Sequence, residues 1–112
     1  MIGHISGRGG ENFAERFLID RGAEIVERNY RTPVGEIDII ARMEERLVFV
    51  EVKARFGSEH GTPGEAITAK QKRRIRRAAE MYLKDHGGTA QPVRFDALLL
   101  SEDGVKYVKG AF

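Results

Sequence analysis

Cysteine is absent from the 112-residue chain. Its absence excludes a disulfide framework, a thiolate zinc site and a cysteine nucleophile. Long apolar runs are absent as well: the longest, Leu47 to Val50 and Ala97 to Leu100, reach only four residues. A membrane helix needs roughly 20 apolar residues, so no membrane partner is expected. The opening MIGHISGRGGENF has no apolar signal core, which makes a cytoplasmic location the expectation. GRGGEN departs from G-x-G-x-x-G, and no P-loop is present. His4, His60 and His86 lack zinc spacing. Serine is scarce and forms no nucleophile elbow.

Charge of one sign is almost missing from the total, +2, although 32% of residues are charged. The charges are segregated: Lys70, Lys72, Arg73, Arg74, Arg76 and Arg77 concentrate in one segment, while Glu36, Asp38 and Glu51 lie elsewhere. A concentrated basic element beside separate carboxylates differs from a uniformly basic protein. The length fits one domain over residues 1–112, with 1–9 a flexible basic arm that carries Arg8.

Apolar spacing predicts a helix over 10–21, with Phe13, Ala14, Phe17 and Leu18 on one face and Gly22 closing it. Strands are expected at 23–30, 35–42 and 46–55, the last two forming a hairpin. A second helix follows a Gly-containing loop. Thr62 with Glu65 and Thr68 with Gln71 are competing capping boxes, and the later start is favoured. Its apolar line is Ile75, Ala78, Ala79, Tyr82 and Leu83. Strands at 92–101 and 105–112 complete the order α-β-β-β-α-β-β, an α/β fold with a mixed central sheet flanked by helices.

Strand periodicity then places the charges. Glu36, Asp38 and Ile40 share one face of their strand, and Ile37, Ile39 and Ala41 the other. Leu47, Phe49, Glu51 and Lys53 likewise share a face. With Glu44-Glu45 as the turn, Asp38 falls opposite Glu51 and Glu36 opposite Lys53, so all four converge. A three-residue loop would separate Asp38 from Glu51. Facing carboxylates repel, unless a hard cation such as Mg²⁺ lies between them. Lys53 adds an ammonium suited to an attacking water or to charge developing on a phosphate. The ordinary alternative is a solvated strand face. It fits poorly here, because Glu51 and Lys53 interrupt LVFVEV, whose residues read as buried on both faces.

With Thr68 as the cap, Lys70, Lys72 and Arg73 fall in the first helical turn, where cations oppose the helix dipole. Bound phosphate would compensate; a solvated basic face is the alternative. Gln71, four residues before Ile75, lies on the apolar line and points either to the sheet or into the cap. Glu11 suits a helix N-terminus on dipole grounds alone.

GGENFAERFL, GEIDIIAR, LVFVEVKAR, the Lys70-containing helix with AAEMYL, RFDALLL and the final VKGAF occur in this order. Together they resemble the YraN family, small bacterial proteins predicted to be nucleases. That family is similar to archaeal Holliday junction resolvases and to the PD-(D/E)XK nuclease superfamily. The resemblance covers nearly the whole chain. It implies a restriction-endonuclease-like fold, with Asp38 and Glu51 as metal ligands, Lys53 as the catalytic lysine and Glu11 as an assisting carboxylate. The Val52 carbonyl would be a further ligand, and Gln71 or Lys70 a weaker contributor. Here Gly35-Glu36-Ile37 precedes Asp38 where the superfamily often has Pro, which leaves Glu36 free to join the metal or to pair with Lys53 or Arg55.

The expected activity is Mg²⁺-dependent hydrolysis of DNA phosphodiesters, on branched or structured DNA, with Mn²⁺ able to substitute. Arg8, Arg55, Gln71 and the basic residues of 70–77 would bind nucleic acid. A homodimer is expected only by analogy with the resolvases. The alternatives are a non-catalytic nucleic-acid-binding or repair-partner module on the same fold, and an RNA-processing enzyme.

Overall fold

The computed structural model describes residues 8–55 and 67–112. The element order matches expectation: α1 (Arg8–Asp20), β1 (Glu24–Thr32), β2 (Gly35–Met43), β3 (Arg46–Ala54), α2 (Ala69–Asp85), β4 (Val93–Ser101) and β5 (Gly104–Val108). α1 begins at Arg8, inside the segment expected to be a flexible arm. β5 ends four residues before the C-terminus, because Gly110 turns the chain in the left-handed region and Ala111 N–H bonds back to Phe95 O. The competing helix start at Thr62, Pro63 and Glu65 and residues 1–7 of the arm lie outside the described residues.

Thr68 caps α2 from an extended conformation. Its Oγ1 accepts from Gln71 N at 3.1 Å, and Gln71 Oε1 accepts from Thr68 N at 2.9 Å. The box satisfies two otherwise orphaned donors. α1 closes at Gly22, whose φ of 93° suits glycine, with Ala23 N–H returning to Leu18 O.

The five strands run β1-β2-β3-β4-β5 across one sheet. Only β3 and β4 are parallel, and α2 is the crossover that parallel neighbours require. This mixed sheet, covered by one helix on each side, is a restriction-endonuclease-like α/β arrangement. Ile40, Leu47, Phe49, Phe95 and Leu99 pack under Ile75, Ala78, Tyr82 and Leu83 of α2. Ile39, Ala41, Val48, Val50 and Leu98 pack under Ala14 and Leu18 of α1. Phe17 lies partly buried at the edge of that second cluster, whereas Phe13, expected on the same apolar face, is exposed.

Two departures from regular strands matter for the site. Ile37 joins the α2 cluster with Ile40, while Ile39 faces α1. The expectation that Ile37, Ile39 and Ala41 share a face is therefore wrong at Ile37. On the neighbouring strand, Arg28 reaches α1 while Tyr30 packs against α2, and Asn29 between them has φ 53°. A left-handed residue rotates the chain out of strict alternation, and asparagine tolerates it better than most. Both strands reset where Asn29 passes Asp38.

The β2–β3 turn is Glu44-Glu45, both left-handed, closed by the pair Met43 and Arg46. Turns of this kind favour Asn-Gly, and here outside contacts hold the less suited residues. The Glu44 carboxylate accepts from Arg94 and from Lys109 Nζ, and these partners lower its pKa to about 2. Arg94 also forks onto Asp96, through Nε and Nη2, each at 2.8 Å. Asp96 is fully buried and accepts further from Tyr107 Oη and from Gly110 N. The C-terminal segment is thereby locked to the hairpin.

Removing one partner of a buried ion pair strands the other, at a cost of roughly 3–5 kcal/mol. Asp96→Ala should lower stability by about that much in urea denaturation. A Cβ at Gly35 would stand 2.5 Å from the carbonyl oxygen of Arg74. Gly35→Ala must therefore lift the β1–β2 turn from α2, and should cost about 1–3 kcal/mol in the same assay.

Candidate functional site

The β2–β3 ladder runs from Met43 and Arg46 to Ile39 and Val50, in the register expected from the turn. It stops there. β3 continues on β4, pairing Glu51 with Ala97, Val52 with Leu98 and Lys53 with Leu99. β2 continues on β1, pairing Ile37 with Tyr30 and Glu36 with Arg31. The two central strands thus part at Asp38 and Glu51. A notch opens there, and Asp38 fills part of it: its Oδ2 accepts the N–H of Val52 at 2.8 Å.

The Asp38 and Glu51 carboxyl groups face each other across the notch, close enough that each shifts the other. Burial and proximity both disfavour two charges here, so the pair holds a proton more tightly than free carboxyls do. Burial pushes the Glu51 acid up to about 8, and the Asp38 charge adds to the effect. Burial also raises Asp38, against the lowering effects of the Val52 N–H and Glu51. Lys53 Nζ stands 3.9 Å from Glu51 Oε2, with both side chains mostly buried. Lys53 favours the ionised form of Glu51 without overcoming burial and Asp38.

Glu11 approaches from α1 on the other side of the sheet. Its carboxylate is close enough to raise Asp38, yet its ion pair is with Arg28 at 3.8 Å. Arg28 is held by a shorter bond, 2.8 Å, to Glu15. Sequence inspection gave Glu15 and Arg28 no role in the site. An arginine facing two acids spaced i and i+4 on a helix was the available signal.

Glu36 does not meet Lys53 as expected, because the ladder that would align them ends three residues earlier, at Ile39. Its carboxylate is half exposed and lies 3.6 Å from Arg31 Nε. Glu36 nevertheless shares with Glu51 a recess of about 500 Å³, which Arg31, Gln71 and Arg74 also line. Arg55 is half-buried, its N–H bonded to Leu100 O. On α2, Lys70, Arg73, Arg74, Arg76 and Arg77 are exposed, and Gln71 and Lys72 are half-buried. No acid stands in the first turn of α2 to offset them. Arg76 lies over the Phe95 ring at 4.6 Å, on the flank away from the recess. Arg8 is the first residue of α1.

The donor set suits a hard divalent ion. Asp38 and Glu51 offer oxygen ligands, and their mutual repulsion is relieved by a positive charge. Among the described residues no three acidic or histidine side chains form a ready-made metal cage. Mg²⁺ binds through one or two carboxylates and keeps waters in its remaining positions, so the pair suffices. No helix among the described residues is long and apolar enough to cross a membrane.

The profile of the uncharacterised protein family UPF0102 matches residues 10–100. A UPF0102 protein of Desulfosudis oleivorans is 50% identical over 108 residues, covering 95% of this chain and 88% of its own. One of Syntrophotalea carbinolica is 44% identical over 110 residues, covering 95% and 89%. One of Moorella thermoacetica is 42% identical over 112 residues, covering 95% and 93%.

Glu51 binds a proton in the fold up to about pH 8, whereas an ordinary glutamate releases it near 4.5. The folded state therefore holds more protons than the unfolded state between those values, and stability falls as pH rises through them. Without divalent ions the melting midpoint should drop between pH 5 and 8. Glu51→Gln should flatten that drop and should be the more stable protein at pH 8.

Proposed function

The chain belongs to the uncharacterised protein family UPF0102, and we propose that it is a Mg²⁺- or Mn²⁺-dependent nuclease that hydrolyses DNA phosphodiester bonds. One observation carries this reading: Asp38 and Glu51, both half-buried, face each other at the parting of β2 and β3, with Lys53 3.9 Å from Glu51. Two half-buried acids facing each other are costly for a fold. A cation between the carboxylates turns that cost into binding energy.

Asp38 and Glu51 would hold the ion, joined by the Val52 carbonyl and by Glu11 as the family resemblance implies. When bound, the ion polarises a phosphate oxygen and lowers the pKa of a coordinated water. The Val52 N–H fixes one Asp38 oxygen and so orients the other. Lys53 stands beside Glu51, where its ammonium can orient the attacking water or meet charge developing on the phosphate. Arg28 pairs with the Glu11 carboxylate on the Asp38 side of α1. The exposed cations of α2, together with Arg55 and Arg8, supply attraction for the DNA backbone. That attraction is independent of sequence and weakens with salt.

The test is a Mg²⁺ or Mn²⁺ titration with four-way junction, flap, single-stranded and linear duplex DNA, alongside RNA of matched sequence. Asp38→Asn and Lys53→Ala should each lose about 10²-fold or more in cleavage rate, while DNA affinity at fixed salt is retained. If both cut as well as the parent, these roles are wrong. Tight, salt-sensitive binding with no cleavage would support the non-catalytic module instead. Cleavage confined to RNA would support the RNA-processing alternative. Ion binding should also expel the proton that burial favours on Glu51, so the apparent binding enthalpy at pH 7 should depend on the ionisation enthalpy of the buffer.

A further inference from the structure

The recess beside Glu51 is larger than an ion and its waters require. Its volume of about 500 Å³ falls among pockets that enclose small organic ligands. One wall is the β1–β2 turn, Thr32 to Gly35; the other is the first two turns of α2, through Gln71, Arg74 and Ile75. The walls are clamped together, because Gly35 lies so close to the Arg74 carbonyl that no side chain fits between them. A double helix cannot enter such a slot. A single nucleotide can.

The lining matches one chemically. Pro33 and Val34 provide exposed apolar surface for the flat faces of a base. Gln71 spends its carbonyl oxygen on the Thr68 cap, and its amide nitrogen has no partner among the described residues. That nitrogen is a donor for a base edge. Arg74 has no ion-pair partner among the described residues, and Arg31 is paired only with half-exposed Glu36. Both suit phosphate oxygens. Among the described residues no aromatic ring lines the recess, so these residues hold the base by shape and one amide, with little discrimination of its identity.

Resting on the nuclease reading, we propose that this recess receives an unpaired DNA nucleotide and places the adjacent phosphodiester at Asp38 and Glu51. The preferred substrate is then DNA with unpaired nucleotides next to duplex, the state of a flap or a branch point. Fully paired blunt duplex must first extrude a nucleotide, and extrusion costs unstacking energy.

The test compares a blunt duplex with the same duplex carrying a five-nucleotide single-stranded extension, by fluorescence anisotropy in Ca²⁺ at fixed salt. The extension should tighten binding at least ten-fold. Val34→Trp fills the recess from an exposed position and should cut that gain below three-fold with an unchanged melting midpoint. Val105→Trp, exposed on β5 outside the recess, should keep the gain. If Val34→Trp does not fold, Arg74→Gln carries the same test. Equal affinity for both DNAs, or a gain untouched by the recess variant, overturns the inference. The same DNAs in Mg²⁺ separate the two claims. Equal cleavage of both defeats the recess and leaves the nuclease standing. Selective binding without cleavage in Mg²⁺ or Mn²⁺ defeats the nuclease and leaves the recess standing.

Discussion

Val52 lies two residues beyond the last β2–β3 pair, and its N–H is bonded to the Asp38 carboxylate in place of a main-chain carbonyl. Much of the site follows from that substitution. It lets β3 leave β2 and continue on β4 without stranding a buried donor. It holds Asp38 in the gap so formed, facing Glu51, and turns the end of a ladder into a place where two acids meet. The left-handed Asn29 on β1 belongs to the same device, since β1 and β2 change their facing at that level.

Asp96 and the Asp38–Glu51 pair show how a buried acid can be structural or poised for chemistry. Asp96 accepts from both prongs of Arg94, from Tyr107 and from the Gly110 N–H. Its charge is matched and its lone pairs are occupied, and it ties the C-terminal segment to the hairpin. Among the described residues Asp38 has one main-chain donor and otherwise faces another acid. Glu51 has Lys53 nearby at a longer distance and is pushed up to about 8. The first cluster is complete in itself. The second has an excess of negative capacity that a cation would satisfy.

Much of this was legible in the sequence. Thr68 with Gln71 located α2, the two glutamates fixed the hairpin register, and charges interrupting LVFVEV marked Glu51 and Lys53 as unusual. Alternation misled where the strands are irregular. It put Ile37 on the wrong face and matched Glu36 with Lys53, because a local change in backbone φ on a neighbouring strand leaves no trace in polar–apolar order. Asp96 interrupts a buried strand as Glu51 does, but the sequence shows no pattern that would mark its burial. Its partners come from β4, β5 and the C-terminal turn, contacts that only the folded sheet creates. The recess was also invisible, since its walls are 36 or more positions apart in the chain and meet where Gly35 packs on α2.

The central claim is that the parting of β2 and β3 creates a cation site. The most direct measurement is anomalous scattering from crystals soaked in Mn²⁺. A peak within ligand distance of carboxylate oxygens from both Asp38 and Glu51 is the predicted result. Full occupancy elsewhere, or no peak between the two carboxyls, would contradict it.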